Sequence, residues 1–152
     1  MSTGDLGPVV FAYDGSELAR RAIEEAGRQL QPGREAFVLT VFRPYAVGFI
    51  PPPEVTFDAA APHQVKEAAE QTAAQGASTA EAAGFRAQSL AVDEAPTWKG
   101  IARVADERDA SLIVLGSHGK SGLTGVFLGS VASAVAAHSG RTVLIVHMRA
   151  PG

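Results

Sequence analysis

The residues from Gly116 to Ser130 have the types and the spacing of a phosphate-binding loop. Two residues separate Gly116 from Gly119, and nine more lead to Gly129 and Ser130, which gives the pattern G-2x-G-9x-G-S. The stretch follows the apolar run LIVL and precedes an alanine-rich run, so we expect it to join a strand to a helix. Glycines permit positive φ and let an anion approach backbone N–H groups, and a helix start near Ser130 presents unpaired N–H groups. Phosphate is the predicted ligand.

Two better-known phosphate motifs do not match this stretch. The G-K-S at 119–121 resembles the end of a Walker A sequence, but the residue five positions before Gly119 is Val114 rather than glycine. The dinucleotide pattern G-x-G-x-x-G is also missing, because Ser117 and His118 separate the first two glycines. The loop is therefore of another type.

Polar side chains near these glycines each have a binding and a structural interpretation. Asp14 follows the first apolar run and is either an acceptor for a ribose hydroxyl or a cap or turn residue. Lys120 either neutralises phosphate or is solvated, and His118 is either a phosphate donor or an ordinary loop residue. His138 and His147 have no partners that suggest a metal site, and we assign them structural roles.

Length and composition predict one soluble, cytoplasmic domain over residues 1–152. The chain has no cysteine, which excludes disulfides and thiolate metal sites, and no apolar run approaches the roughly 20 residues of a membrane span. A net charge of −3 gives no support for nucleic-acid binding. Every Asp and Glu lies at or before Asp109, so the C-terminal part is locally basic, either because it binds an anion or because buried segments carry few charges.

Hydrophobic periodicity predicts strands that alternate with helices. The predicted strands are 9–13, 36–42, 85–92, 111–116 and 142–148. Ser16 is placed to cap a helix that reaches Leu30, Pro62 can open a long helix that Gly84 closes, and Gly140 can end the helix that begins near Ser130. The alternation indicates an α/β fold, with a parallel sheet and helices on both faces.

Residues 43–62 interrupt this alternation. Their prolines exclude regular structure, while scattered Phe, Val and Ile are not typical of a charged, disordered linker. We expect a partly packed surface loop, with a lid or a partner-binding arm as its functional alternative.

The glycine spacing and the chain order resemble one known family. G-2x-G-9x-G-S at 116–130, with the flanking LIVLGSHG and LGSVA and with YDGS at 13–16, is similar to the nucleotide-binding members of the universal stress protein family. The resemblance covers essentially the whole chain. It implies a Rossmann-like, adenine nucleotide alpha hydrolase-like fold, with a single five-stranded parallel sheet of order 3-2-1-4-5. The motifs at the ends of the first and fourth strands would then face one crevice.

The resemblance also implies roles for individual residues at that crevice. Asp14 would hydrogen-bond the ribose or adenine end of the nucleotide, and Ala12 and Tyr13 would edge the base pocket, with Tyr13 larger than the residue usual in the family at that place. Val41, at the end of the second strand, would pack on adenine. The glycine-loop residues would bind ribose and phosphates, largely through backbone N–H groups and the Ser130 hydroxyl. The implied nucleotide-binding residues are Ala12, Tyr13, Asp14, Val41, Gly116, Ser117, Gly119, Lys120, Gly129, Ser130 and Val131.

The leading functional hypothesis is a cytoplasmic stress-response protein that binds ATP, with or without Mg²⁺, or else AMP or a cyclic nucleotide. Catalysis is not expected beyond slow ATP hydrolysis, because the loop contains no carboxylate to serve as a base. The alternative is an interaction module without physiological ATP binding. In both cases the resemblance implies a homodimer through the last strand, 142–148, and neither nucleic acid nor membrane is expected as a partner.

Overall fold

The computed structural model describes residues 6–42, 62–119 and 128–148, where strands and helices alternate. The predicted loop 43–62 lies outside this part except for its last residue, and so does Lys120. The elements are β1 (Val9–Ala12), α1 (Glu17–Gln29), β2 (Glu35–Phe42), α2 (Pro62–Ala82), β3 (Arg86–Asp93), α3 (Thr97–Glu107), β4 (Leu112–Gly116), α4 (Ser130–His138) and β5 (Val143–Val146).

The five strands form one parallel sheet in the order β3-β2-β1-β4-β5, which confirms the predicted fold class. β1 is the central strand, and its Phe11 is paired with Val38 of β2 and with Val114 of β4. The carboxyl ends of β1 and β4 are therefore neighbours at one edge of the sheet.

Alternate residues of each strand face opposite layers of helices. Val9, Phe11 and Val38 belong to the core cluster that packs under α1 and α2. Val10 and Leu39, one residue further along, belong to the cluster that packs under α3 and α4. Both faces of the central strands are buried, which explains their continuously apolar sequences.

The helix boundaries follow the capping signals in part. The Ser16 side chain accepts a hydrogen bond from the Ala19 N–H at 3.1 Å, which confirms it as the N-cap of α1. Gly84, just beyond α2, has a φ of 103° and takes the left-handed conformation expected at a helix end. α4 instead ends at His138 with Ser139 as its C-cap in an extended conformation, and Gly140 has no left-handed φ. Within the described part of the chain, no helix has both the length and the apolar character needed to cross a bilayer.

Leu18 of α1 is buried in the core, and its replacement tests the packing of this helix. Its side chain is only 2% exposed, whereas Leu6 is 58% exposed. We expect Leu18→Ala to lower the free energy of unfolding by about 2–5 kcal/mol, because it leaves a cavity in the core. Leu6→Ala removes the same atoms from an exposed position and should change the free energy of unfolding by less than about 0.5 kcal/mol. Urea unfolding followed by circular dichroism measures both, and equal losses in the two variants would contradict this packing.

Candidate functional site

The ends of β1 and β4 bring the two sequence motifs into contact. Asp14 follows β1, and the turn from Gly116 to Gly119 follows β4. A β-carbon on Gly119 would lie 2.5 Å from Oδ2 of Asp14, so the two positions touch across the gap between the strands. The structure thus places Asp14 and Gly119, 105 positions apart in the chain, at one point of the sheet edge.

Asp14 has a structural role in addition to its position at this edge. Its Oδ1 atom accepts a hydrogen bond from the Ser16 N–H at 2.9 Å, which closes a turn of the kind that aspartate stabilises. Gly15, between them, has a φ of 83°, a conformation that favours glycine. The turn leaves the half-buried carboxylate with Oδ2 directed at Gly119.

The glycines of the loop allow close packing within the chain rather than left-handed turns. A β-carbon on Gly116 would lie 2.8 Å from Cγ of Leu18, and one on Gly129 would lie 3.1 Å from Cα of His118. Among the loop glycines that the structure describes, Gly116, Gly119 and Gly129 lack a φ in the left-handed region, so these three do not need a positive φ. The absent side chains let α1, Asp14 and the 117–118 segment approach the loop backbone.

Two loop amides that could have met a phosphate are already occupied. The Ser117 N–H donates to the Val146 carbonyl at 2.8 Å, and the Gly129 N–H donates to the Ser117 carbonyl at 2.6 Å. The expectation that Gly129 offers its N–H to a ligand is therefore corrected. His118 is half-buried, and its Nδ1 lies 3.3 Å from the Gly119 carbonyl, as expected of a residue with a role inside the loop.

The first turn of α4 supplies the remaining donors on this side. The first bond of the helix runs from the Ser133 N–H to the Gly129 carbonyl, so the amides of Ser130, Val131 and Ala132 precede the helical ladder. The helix has Gly129 as its N-cap, and no side chain caps it there. Ser130 is exposed, which leaves its hydroxyl accessible next to the positive end of the helix dipole.

An apolar wall lies beside these polar groups. Ala12, Val41 and Val131 are half-buried and pack against the core cluster under α3 and α4. Sequence reasoning did not identify Gly100 of α3, although a β-carbon there would lie 3.1 Å and 3.2 Å from the two methyl groups of Val41. Gly100 therefore lets α3 approach Val41, which is a tertiary requirement that the periodicity of α3 does not reveal.

Tyr13 does not share this face. Its side chain is buried in the cluster under α1 and α2, where a β-carbon on Gly76 would lie 2.8 Å from its ring. The expectation that the Tyr13 ring edges the same pocket as Ala12 and Val41 is corrected, because consecutive strand residues point to opposite faces. The backbone of Tyr13 remains near the site, with its N–H donating to the Leu39 carbonyl at 2.9 Å.

The sequence is similar to a known family along nearly its whole length. The model of the Universal stress protein family matches residues 6–147. A solved universal stress protein in complex with cAMP is 29% identical, with 93% of this chain and 97% of that chain covered and a TM-score of 0.62. The universal stress protein from Archaeoglobus fulgidus in complex with dAMP is 22% identical, with 91% and 96% covered and a TM-score of 0.64. Hypothetical protein MJ0577 is 23% identical, with 95% and 97% covered and a TM-score of 0.75.

The burial of Tyr13 gives a test of its placement. Desolvation, and then the nearby charge of Asp14, raises the pKa of the Tyr13 hydroxyl, while Arg20 acts in the opposite direction. Above pH about 10 the unfolded chain therefore loses this proton first, so the stability that the neutral hydroxyl contributes disappears as the pH rises through the folded-state pKa. We expect the free energy of unfolding to fall less between pH 8 and pH 11 in Tyr13→Phe than in the wild type, as measured by urea titration at each pH. Parallel curves for the two proteins would place Tyr13 in solvent.

Proposed function

The chain belongs to the universal stress protein family, and we propose that it binds an adenine nucleotide where β1 and β4 end. The contact between Asp14 and Gly119 carries this proposal, because it joins an acceptor for a nucleoside to the loop that leads to α4. The cAMP complex of the 29% identical universal stress protein supports the same class of ligand. Parallel α/β sheets also bind ligands at this kind of edge, beyond the carboxyl ends of their strands.

The nucleoside half of the ligand would lie against the apolar wall. The half-buried side chains of Ala12, Val41 and Val131 offer a nonpolar surface to an adenine ring. The Asp14 carboxylate is an acceptor, which suits the hydroxyl groups of a ribose. Tyr13 contributes only backbone in this arrangement, because its ring lies on the other face of the sheet.

The phosphate half would lie at the start of α4. The proposed donors are the amides of Ser130 and Val131 and the Ser130 hydroxyl, together with Lys120, which lies outside the described residues. Gly116 and Gly119 would contribute by letting Leu18 and Asp14 approach the loop that holds these donors in place. The Ser117 and Gly129 amides are bonded within the chain, so we assign them to holding the loop rather than the phosphate.

We propose ATP, with Mg²⁺ on its phosphates, as the physiological nucleotide and nucleotide-dependent regulation in a stress response as the role. AMP and a cyclic nucleotide are the competing ligands. If the protein bound one of them and not ATP, the proposed physiological nucleotide would change, but the proposed location of the binding site would not. We expect at most slow hydrolysis, because one oxygen of Asp14 is held by the Ser16 amide at 2.9 Å and the carboxylate is assigned to the nucleoside.

Gly119→Ala tests the site directly. The added methyl would lie 2.5 Å from Oδ2 of Asp14, so the carboxylate must move from its place at the sheet edge. We expect affinity for ATP, AMP or cAMP to fall by about tenfold or more, equivalent to about 1.4 kcal/mol. Calorimetric titration measures it, and the fluorescence of Trp98, the one tryptophan of the chain, gives a second signal because it packs on the same cluster as Val41.

Gly140→Ala is the matched control for this change. A β-carbon at Gly140 has no atom within 4 Å, and its φ is not left-handed, so the same substitution there should leave both affinity and folding unchanged. The proposal fails if the folded wild type shows no heat and no fluorescence change with any of the three nucleotides at millimolar concentration.

We also propose that the protein forms a homodimer through β5. β5 and β3 are the two edge strands of the sheet, and their free edges differ. At β3, the Glu81 carboxylate accepts the Ala87 N–H at 3.1 Å and so occupies a backbone donor that another strand would need. All residues of β5 are half-buried, and the exposed Met148 follows the strand, which makes this edge the better surface for self-pairing.

Met148→Lys tests the dimer. Met148 is 43% exposed, and a twofold interface through β5 would bring the two copies of the new charge close together. We expect the dimer dissociation constant to rise by about tenfold or more, as measured by sedimentation equilibrium at tens of micromolar protein. Leu6→Lys adds the same charge at a more exposed leucine before β1 and should leave the constant unchanged. A monomeric wild type under these conditions would contradict the proposal.

A further inference from the structure

We propose that Thr40 is a positioning residue for the nucleotide site, acting through the peptide that leads into Asp14. This inference rests on the proposed function and names a residue of β2 that no sequence motif indicates. The Thr40 side chain is only 1% exposed, and its hydroxyl donates to the Tyr13 carbonyl at 2.9 Å. That carbonyl belongs to the peptide bond that connects Tyr13 to Asp14.

Two consecutive residues of β2 hold Tyr13 from the same side. The Tyr13 N–H donates to the Leu39 carbonyl at 2.9 Å, and the Tyr13 carbonyl accepts the Thr40 hydroxyl. The main-chain pairing of β1 with β2 ends at Ala12 opposite Leu39. These two bonds therefore extend the attachment of β1 beyond the strand, up to the residue before Asp14.

The next bond transfers this restraint to the carboxylate. Beyond the held peptide, Oδ1 of Asp14 accepts the Ser16 N–H at 2.9 Å, and Oδ2 lies against Gly119. A β-carbon at Gly119 would be only 2.5 Å from that oxygen, so this contact leaves little room for displacement. A rotation of the 13–14 peptide would move the base of the Asp14 turn and shift the carboxylate relative to the loop.

Packing alone does not require a hydroxyl at position 40. The neighbours Leu39 and Val41 are aliphatic, and valine has nearly the shape of threonine and suits a buried strand equally well. A buried hydroxyl is costly unless it is bonded, so this one contributes only through the bond that it makes. That bond ends on the peptide before the proposed nucleoside acceptor, which points to positioning as its role.

Three variants separate the hydroxyl from the shape of the side chain. Thr40→Val removes the hydroxyl, Thr40→Cys replaces it with a weak donor, and Thr40→Ser keeps it. We expect Thr40→Val to weaken AMP binding by roughly threefold to tenfold, the value of one hydrogen bond, with Thr40→Cys in the same direction and Thr40→Ser close to the wild type. Thr72→Val, at another buried threonine, is the matched control and should leave AMP affinity unchanged.

A measurement without ligand tests the same step independently of nucleotide binding. Hydrogen exchange of the Ser16 amide reports its bond to Asp14, and we expect it to be faster in Thr40→Val than in Thr40→Ser or Thr72→Val. A wild type that binds no nucleotide would overturn the proposed function, whereas the exchange of Ser16 would still decide whether Thr40 holds the turn. Unchanged Ser16 exchange, or equal AMP affinity in Thr40→Val and the wild type, would overturn the role of Thr40.

Discussion

The candidate site depends on the position of β1 between β2 and β4. Because the three strands are parallel and in register around Phe11, the segments that leave β1 and β4 emerge side by side. The helices that follow β1 and β2 pack on one face, and those that follow β3 and β4 pack on the other. The connections diverge at this point, which is the general reason that such sheets bind ligands there.

Close approach of chain segments is the common principle at this edge. Leu18 packs beside Gly116, Asp14 beside Gly119, and Val41 beside Gly100. In each case a residue distant in sequence fills the volume that a side chain at the glycine would need. The bond from the Gly129 N–H to the Ser117 carbonyl fixes the start of α4 to the end of β4 in the same way. These contacts fix the described part of the edge within the protein itself, which would lower the ordering cost of binding the proposed nucleotide.

The strands, the cap at Ser16 and the fold class were predictable because they depend on local periodicity and on a recognisable glycine spacing. The sheet order came from the family resemblance, since periodicity does not determine which strands are neighbours. The face occupied by Tyr13 follows from strand alternation, because Tyr13 lies two residues after Phe11 and shares its cluster. The reasons for Gly100 and Gly116 and the bond of Thr40 were not predictable, because each depends on a partner distant in sequence or on the exact register of two strands.

Gly76 lets α2 cross close to the sheet, beside Tyr13 and Val38. A β-carbon at Gly76 would lie 2.6 Å from a methyl group of Val38 and 2.8 Å from the Tyr13 ring, so α2 can cross here only while position 76 has no side chain. A glycine inside a helix costs about 1 kcal/mol relative to alanine, and the buried aromatic ring offsets that cost. A smaller residue at position 13 would still leave the Val38 methyl group 2.6 Å from an added β-carbon, so a side chain at position 76 requires smaller residues at both positions or a shift of α2 away from the sheet.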